Sequence, residues 1–402
     1  MSTIRTYTIV TVTEALRVLA LAGVAFGVHA APYVPRDDSV VLERLPVRPS
    51  DPVARELRKL RSELAANPRR RDTAIRLAER YFALANAEGD PRYVGYAQAA
   101  LKPWWDMAAP PLDALVMRAI LKQYSHDFNG AMQDLRAATH ADPGNARAWS
   151  WRAAIDMVQA NYEQARKDCL ALQDIASDLY AVGCLAHLDA TTGKAAAAYR
   201  SLSEAFARSG DDSPEMKVWV LTRLAEMSLH IGNVKQAEEH FRAAHAEPID
   251  DQFLLGAYSD FLLDQGRPDE VISLLVDWFK SDILLLRLAI AEKALNAPKA
   301  NEHIEALRSR FEAAALRGDR LHQQEEARFN LTLVGNKKKA LALAQENWKL
   351  QREPRDARIL LEAALAMKNP DAAKDALEWL DRTGHEDPGL RATAQKLRAL
   401  KP

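Results

Sequence analysis

The chain has 402 residues, 48% of them hydrophobic and 27% charged, which is typical of globular proteins and excludes a disordered chain. Its 54 basic and 55 acidic side chains nearly cancel, so no strong field favours nucleic acid or an anionic membrane as partner. The 16 glycines are few for this length, which favours a helical chain with short turns.

Residues 1–30 have the order of a secretory signal peptide. Arg5 and Arg17 precede the apolar run Val18–Val28, and the small residue Ala30 follows at the expected cleavage site. The run of 11 residues is too short for a membrane span, which needs roughly 20. The mature chain is therefore predicted to be periplasmic or extracellular, with no integral membrane span. An uncleaved anchor and a misplaced start are the alternatives.

Residues 31–52 are predicted to form an extended leader, because five prolines prevent a regular helix there. The short apolar stretch Val40–Leu42 gives this leader one point of attachment. Two interpretations stay open. The leader either packs along the first repeats or occupies a ligand groove as an internal competitor.

An internal repeat is clearest from Leu112 to Ser177, where two copies of one pattern lie end to end. The first copy is Leu112–Asn145 and the second is Ala146–Ser177. Equivalent small or apolar residues are 34 positions apart: Ala131 and Ala165, Leu135 and Cys169, Ala138 and Leu172. A period of ~34 residues indicates stacked helix–turn–helix units.

The pattern resembles the tetratricopeptide repeat over roughly Asp51–Leu400, and the repeat array is predicted to occupy residues 53–402 with about eight repeats. It is clearest at 112–179 and 218–250, and the degenerate stretch Ile283–Ala314 has no glycine at its turn. Glycines are predicted at the turns of four other repeats: Gly193, Gly232, Gly266 and Gly335. The resemblance implies an all-α, right-handed α-solenoid with a concave groove lined by the first helix of each repeat. Exported bacterial proteins built only of such repeats are similar in organisation.

The family's groove positions, carried onto this sequence, predict a binding surface for a protein or peptide. They are Tyr124, Arg147, Tyr180, His187, Trp219, Glu226, His230, Asp260, His322, Glu325 and Phe329. Mixed aromatic and charged side chains suit an extended peptide, because aromatic residues anchor it and charges set its register. The alternative is that several of these aromatic residues simply pack between helices.

The two cysteines, Cys169 and Cys184, flank the predicted turn near Ser177. A pair of antiparallel helices would bring them level, and an oxidising compartment would favour a disulfide between them. Two buried thiols are the alternative, since free cysteine is a common small core residue. The spacing of 15 lacks the Cys-x-x-Cys arrangement of a redox-active pair.

No catalytic motif is found in the sequence. Gly-x-Ser-x-Gly and His-Glu-x-x-His are absent, and His240 and His245 are too far around a helix to share a metal ion. The sequence therefore predicts that the protein is not an enzyme and that it binds no cofactor, metal ion or nucleic acid. It predicts an exported scaffold that binds a protein or peptide in its groove and supports envelope assembly. The alternative is an accessory subunit dedicated to one envelope enzyme or transporter.

Overall fold

The computed structural model describes residues 51–210 and 212–400, together with Asp37 and Val40. The predicted signal peptide (1–30) and nearly all of the leader (31–52) lie outside these residues. Every regular element within the described ranges is helical, and none of their helices is long and apolar enough to cross a membrane. The described residues from 56 to 400 form one compact unit.

Twenty-one α-helices follow one another along the described part of the chain. They are α1 (Pro52–Ala66), α2 (Arg71–Glu88), α3 (Arg92–Ala100), α4 (Lys102–Trp105), α5 (Leu112–Tyr124), α6 (Phe128–Ala141), α7 (Ala146–Val158), α8 (Tyr162–Ala171), α9 (Asp178–Thr191), α10 (Ala195–Arg208), α11 (Pro214–His230), α12 (Val234–His245), α13 (Gln252–Asp264), α14 (Pro268–Leu275), α15 (Asp282–Ala294), α16 (Ala300–Leu316), α17 (Gln323–Phe329), α18 (Lys337–Leu350), α19 (Pro354–Ala366), α20 (Lys374–Thr383) and α21 (Pro388–Arg398). A π-helical turn at Asn330–Val334 extends α17.

Consecutive helices pack as pairs, which confirms the all-α solenoid of tetratricopeptide type. The pairs are α2–α3, α5–α6, α7–α8, α9–α10, α11–α12, α13–α14, α15–α16, α17–α18 and α19–α20. This gives nine pairs among the described residues, where the sequence pattern predicts about eight repeats. The two strong copies in the sequence form α5–α6 and α7–α8. The helix that opens a pair is called its first helix below.

Five first helices begin at a side chain that caps the helix. Asn145, Ser177, Ser213, Asp251 and Ser281 each accept a hydrogen bond from the backbone N–H three residues on. Such a cap satisfies one of the free N–H groups of the first turn and contributes ~1 kcal/mol. The caps fix where α7, α9, α11, α13 and α15 start.

Each pair turns on one residue with positive φ. Glycine occupies five of these positions, at 89, 193, 232, 266 and 335, and the last four are the turns predicted from the sequence. The degenerate repeat uses Asn296 instead, with φ 52°. Asparagine tolerates the left-handed conformation better than most residues, so this turn keeps its geometry without glycine. His126, Ala160 and Lys368 fill the remaining three turns.

Small side chains let the helices of a pair approach closely. The equivalent alanines of the second helices are 0–3% exposed: Ala131, Ala165, Ala198, Ala237 and Ala340. Larger apolar residues one helical turn later are also buried, including Leu135, Leu202 and Phe241. The core is therefore a continuous strip between helix layers, as expected when each repeat buries its apolar face on its neighbours.

The array returns to its beginning after five pairs, where the start of α13, the first helix of the sixth pair, meets the end of α2. The Gln252 side-chain amide donates to the carbonyl oxygens of Ala85, at 3.3 Å, and Asn86, at 2.7 Å. A Cβ atom on Gly89 would lie only 2.3 Å from the Gln252 side chain. Glycine is thus required here both for the close approach and for its φ of 69°.

The chain from residue 351 to 398, called the C-terminal segment below, lies across the C-terminal ends of earlier first helices. The contacts are Gln351 with His126 at 3.3 Å, Arg352 N–H with the Val158 carbonyl at 2.7 Å, Arg358 with Asp264 at 2.6 Å, and His385 with the Thr191 carbonyl at 3.1 Å. These partners end α5, α7, α13 and α9. The C-terminal segment therefore closes one side of the concave face.

Candidate functional site

A cavity of about 420 Å³ lies between α7, α9 and α11, the first helices of three consecutive pairs. Its lining comprises Ser150, Ala153, Ala154, Met157, Val158, Tyr180, Cys184, His187, Ser213, Glu215, Met216, Trp219, Arg223 and Glu353. Three of the predicted groove residues, Tyr180, His187 and Trp219, are among them. The structure thus brings part of the predicted surface together at one place.

The cavity has a mouth and an inner end. Ser213 and Glu215, at the start of α11, are exposed and mark the mouth, together with Tyr180 at the start of α9. Val158, the last residue of α7, lies at the inner end, where its carbonyl accepts the Arg352 N–H at 2.7 Å. The C-terminal segment therefore closes the inner end.

Aromatic rings form one wall of the cavity. The rings of Tyr180 and Trp219 are 6.0 Å apart between centroids and tilted by 36°. A Cβ atom on Gly183 would lie 2.4 Å from two ring carbons of Trp219, so the indole rests directly on the backbone of α9. Glycine inside a helix costs ~1 kcal/mol relative to alanine, and here it makes room for the indole.

Two arginines meet two carboxylates at the inner end. Arg223 donates to Glu226 at 2.7 Å, and Arg355 donates to Glu353 at 2.7 Å. Both guanidinium groups also lie over the ring of Phe253, at 4.5 Å for Arg223 and 5.5 Å for Arg355. Burial raises the pKa of Glu353, but Arg355 outweighs it and the net pKa is lowered, so this carboxylate stays ionised.

His187 presents a neutral imidazole to the cavity. Burial lowers the pKa of His187 well below its usual range, and the nearby Arg223 and Arg355 lower it further. Close to it, the buried Nε of Arg223 has no hydrogen-bond partner among the described residues. The inner end therefore offers one buried donor, Arg223 Nε, that the described part of the chain does not satisfy.

A disulfide joins Cys169 on α8 to Cys184 on α9, with Cα atoms 5.5 Å apart. Cys169 is fully buried, whereas Cys184 lines the cavity. The bond ties the helix that carries Tyr180, Gly183 and His187 to the preceding pair. A cross-link of this kind restricts movement of that wall.

The other predicted groove residues on α5, α7 and α11 contact the chain itself. Tyr124 packs edge-on against Phe82 at 6.1 Å, and Arg147 forms an ion pair with Glu79. Glu226 pairs with Arg223, and the His230 ring meets that of His385 edge-on at 4.5 Å. None of these four lines the cavity.

The predicted residues on α13 and α17 are held in internal packing. Asp260 accepts from Arg287 and Arg328, each at 2.6 Å. Glu325 is 9% exposed and lies 3.9 Å from His322, while the Phe329 ring packs on Phe311 at 5.3 Å. The structure does not bring them to the cavity.

Sequence reasoning missed Arg223, Gly183 and Glu353. Arg223 follows Trp219 by four residues, so helical spacing already places both on one face of α11. Gly183 carried a signal too, because a glycine inside a predicted first helix indicates close packing. No local sequence feature indicates a role for Glu353, because it reaches the cavity only where the C-terminal segment packs back against the earlier helices.

Within the described ranges, no group of three or more His, Cys, Asp or Glu side chains is arranged to hold a metal ion. The cavity lining is apolar and aromatic along its length, with polar groups at its two ends. This arrangement suits binding of a ligand with an apolar part.

No family model matches the chain, and the comparison with curated proteins finds no match. Among solved structures, yeast Tom70 is similar at a TM-score of 0.41 and 13% identity, with 86% of this chain and 85% of that chain covered. The TPR domain of P58(IPK) is similar at a TM-score of 0.22 and 16% identity, with 87% and 98% covered. Neither TM-score supports a conclusion about function, and the fold assignment rests on the packing of consecutive helices as pairs.

Proposed function

We propose that the protein is an exported scaffold that binds a protein or peptide partner on its concave face, supports assembly in the cell envelope, and carries out no catalysis. One observation supports the binding role most strongly. Three consecutive first helices contribute to a single cavity, and its wall carries the adjacent aromatic rings of Tyr180 and Trp219. Rigid aromatic side chains in a recess are typical anchors for a partner.

The proposed contact surface is narrower than the eleven residues taken from the family. Glu226, His230 and Asp260 already have partners within the chain, so they add little to binding unless those contacts break. The partner is instead expected at the mouth of the cavity, beside Glu215 and Met216. Export and envelope assembly rest on the signal-peptide pattern of residues 1–30.

A crosslinked pull-down from the envelope fraction tests this function with a matched pair of variants. Ala154 is exposed and lines the cavity, so Ala154→Trp should obstruct the recess without disturbing the core. Ala207 is equally exposed but lies on α10, a second helix, so Ala207→Trp is the control. A partner held by wild type and Ala207→Trp, and largely lost from Ala154→Trp, is the expected result. Equal capture by both variants would contradict binding at the cavity.

A further inference from the structure

The cavity has the size and the lining of a site for a small free molecule. Its volume of about 420 Å³ lies within the ~300–1,000 Å³ typical of ligand pockets. We propose that it binds an amphipathic monoanion, a compound with an apolar body and a carboxylate or similar acceptor group at one end. This goes beyond the proposed scaffold role, because it requires no protein partner.

The apolar lining of the cavity suits an apolar body. Met157, Val158 and Met216 contribute to this lining together with Tyr180 and Trp219. Methionine side chains adapt to the shape of a ligand, and flat aromatic surfaces favour a planar or extended hydrocarbon. Alanines at 153 and 154 leave the remaining space.

The inner end selects the polarity of the ligand. Both nearby carboxylates, Glu226 and Glu353, are already engaged by arginines at 2.7 Å. The buried group without a partner is Arg223 Nε, which is a donor, and the neutral His187 ring, which also lines the cavity, can donate through one nitrogen. A buried donor without a partner is costly, so a ligand that brings an acceptor gains the most here.

The closed inner end favours a compact molecule over an extended peptide. The Arg352 N–H binds the last carbonyl of α7, at Val158, and Glu353 lines the cavity beside it. A polypeptide entering at the mouth would meet the C-terminal segment at this point, so the cavity suits an occupant that ends inside it.

The wall on α9 is held in place before any ligand arrives. The Cys169–Cys184 disulfide tethers the helix, and Gly183 lets the Trp219 indole sit directly on its backbone. A preformed wall reduces the entropy lost on binding. Trp219 also provides a fluorescent reporter at the site itself.

The test is a titration of the purified full chain with three matched probes, followed by fluorescence and by calorimetry. The probes are 3-phenylpropionate, 3-phenylpropanol and 3-phenylpropylamine, which share one apolar body and differ only in the polar end. We expect saturable binding with the acid tightest, by about tenfold over the amine. Equal or tighter binding of the amine would overturn the polarity assigned to the inner end.

Variants distinguish the cavity from other surfaces. Ala154→Trp should abolish binding while circular dichroism and the melting temperature stay unchanged, and Ala207→Trp should bind as wild type does. Arg223→Gln should weaken the acid about tenfold and leave the alcohol nearly unaffected. The small-molecule site is refuted if the acid shows no saturation by about 10 mM, or binds Ala154→Trp normally. The pull-down of a protein partner is a separate readout, so either proposal can fail alone.

Discussion

Two stretches of the same repeat array use their concave positions in opposite ways. On α9 and α11, Tyr180, His187 and Trp219 face a cavity. On α13 and α17, the equivalent Asp260, Glu325 and Phe329 face other parts of the chain and are held there by ion pairs and packing. The first region is called the open face below, and the second the covered face.

The difference follows from what returns to each region and not from the repeats themselves. The C-terminal segment and α17 approach α13 closely enough for Arg358 to reach Asp264 and Arg328 to reach Asp260, each at 2.6 Å. At the open face the same return reaches the last residue of α7 through Arg352 and the last residue of α9 through His385, and it adds Glu353 to the cavity lining. A repeat position therefore indicates where a residue lies, and long-range packing decides whether it is available.

The largest expected effect comes from breaking the buried charges of the covered face. Asp260→Asn leaves Arg287, 7% exposed, and Arg328 without their carboxylate, which should lower the free energy of unfolding by about 3 kcal/mol. Burial alone would raise the pKa of Asp260, but Arg287 and Arg328 hold it well below its usual range. Chemical denaturation measures the change.

The control is Asp264→Asn, which removes an exposed pair with Arg358 and should cost less than about 1 kcal/mol. Similar losses for the two variants would show that the ion pairs of Asp260 do not hold the covered face together.

The disulfide belongs to the open face, and its removal is the next largest effect. Cys169 and Cys184 close a loop of 15 residues, for which the chain-entropy estimate is about 3 kcal/mol. The free energy of unfolding of a double variant, Cys169→Ala with Cys184→Ala, should be lower by about 2–3 kcal/mol, and this variant should bind 3-phenylpropionate more weakly. Thermal melting with and without reductant measures it, and the double variant should be insensitive to reductant. A reductant effect that persists in the double variant would rule out this bond as its source.

The ends of α9 and α11 should be destabilised in mild acid. His230 and His385 meet there, His385 is fully buried, and His230 Nδ1 and His385 Nε2 have no hydrogen-bond partner among the described residues. Burial, and then the neighbouring His230, lower the pKa of His385 to about 4, and burial also lowers the pKa of His230. The charged or titratable groups that face the pair are His187, Arg223, Asp387 and Arg391.

Because the folded pKa lies below the unfolded value, this stability is complete above pH ~6.5 and is lost as the pH falls toward about 4. Between pH 7.5 and 5.5 the loss from His385 should be about 1 kcal/mol. Denaturation curves at both pH values measure it, with His385→Asn as control. An equal pH dependence in that variant would exclude His385 as the cause.

Substitutions in the turns should have the smallest effect on the free energy of unfolding, and that effect should be the same in the open and the covered face. Gly232, after α11, and Gly266, after α13, have φ of 77° and 67°, with open space around a new Cβ. Replacing either with alanine should cost about 1 kcal/mol, because only the backbone conformation is penalised. Chemical denaturation should show equal losses in the free energy of unfolding for Gly232→Ala and Gly266→Ala. A larger loss for Gly266→Ala would show that the covered face constrains its turn more strongly.

Local sequence was sufficient for the fold and insufficient for the site. The period of 34 residues and the glycines at 193, 232, 266 and 335 predicted the helix pairs, because both reflect short-range geometry. The left-handed turn at Asn296 and the helix caps also depend only on residues a few positions away along the chain. The fate of Asp260 and the contribution of Glu353 depend on contacts between residues tens to hundreds of positions apart, which no single repeat encodes.

The most direct test of the open and covered faces is site-specific photocrosslinking at two aromatic positions in the exported protein. A photoreactive phenylalanine derivative replaces Tyr180, which lines the cavity, or Phe253, which lies under Arg223 and Arg355. Adducts with a partner at position 180, and only intrachain crosslinks at position 253, are the predicted result. Partner adducts at position 253 without any at position 180 would contradict the assignment of the binding surface to the open face.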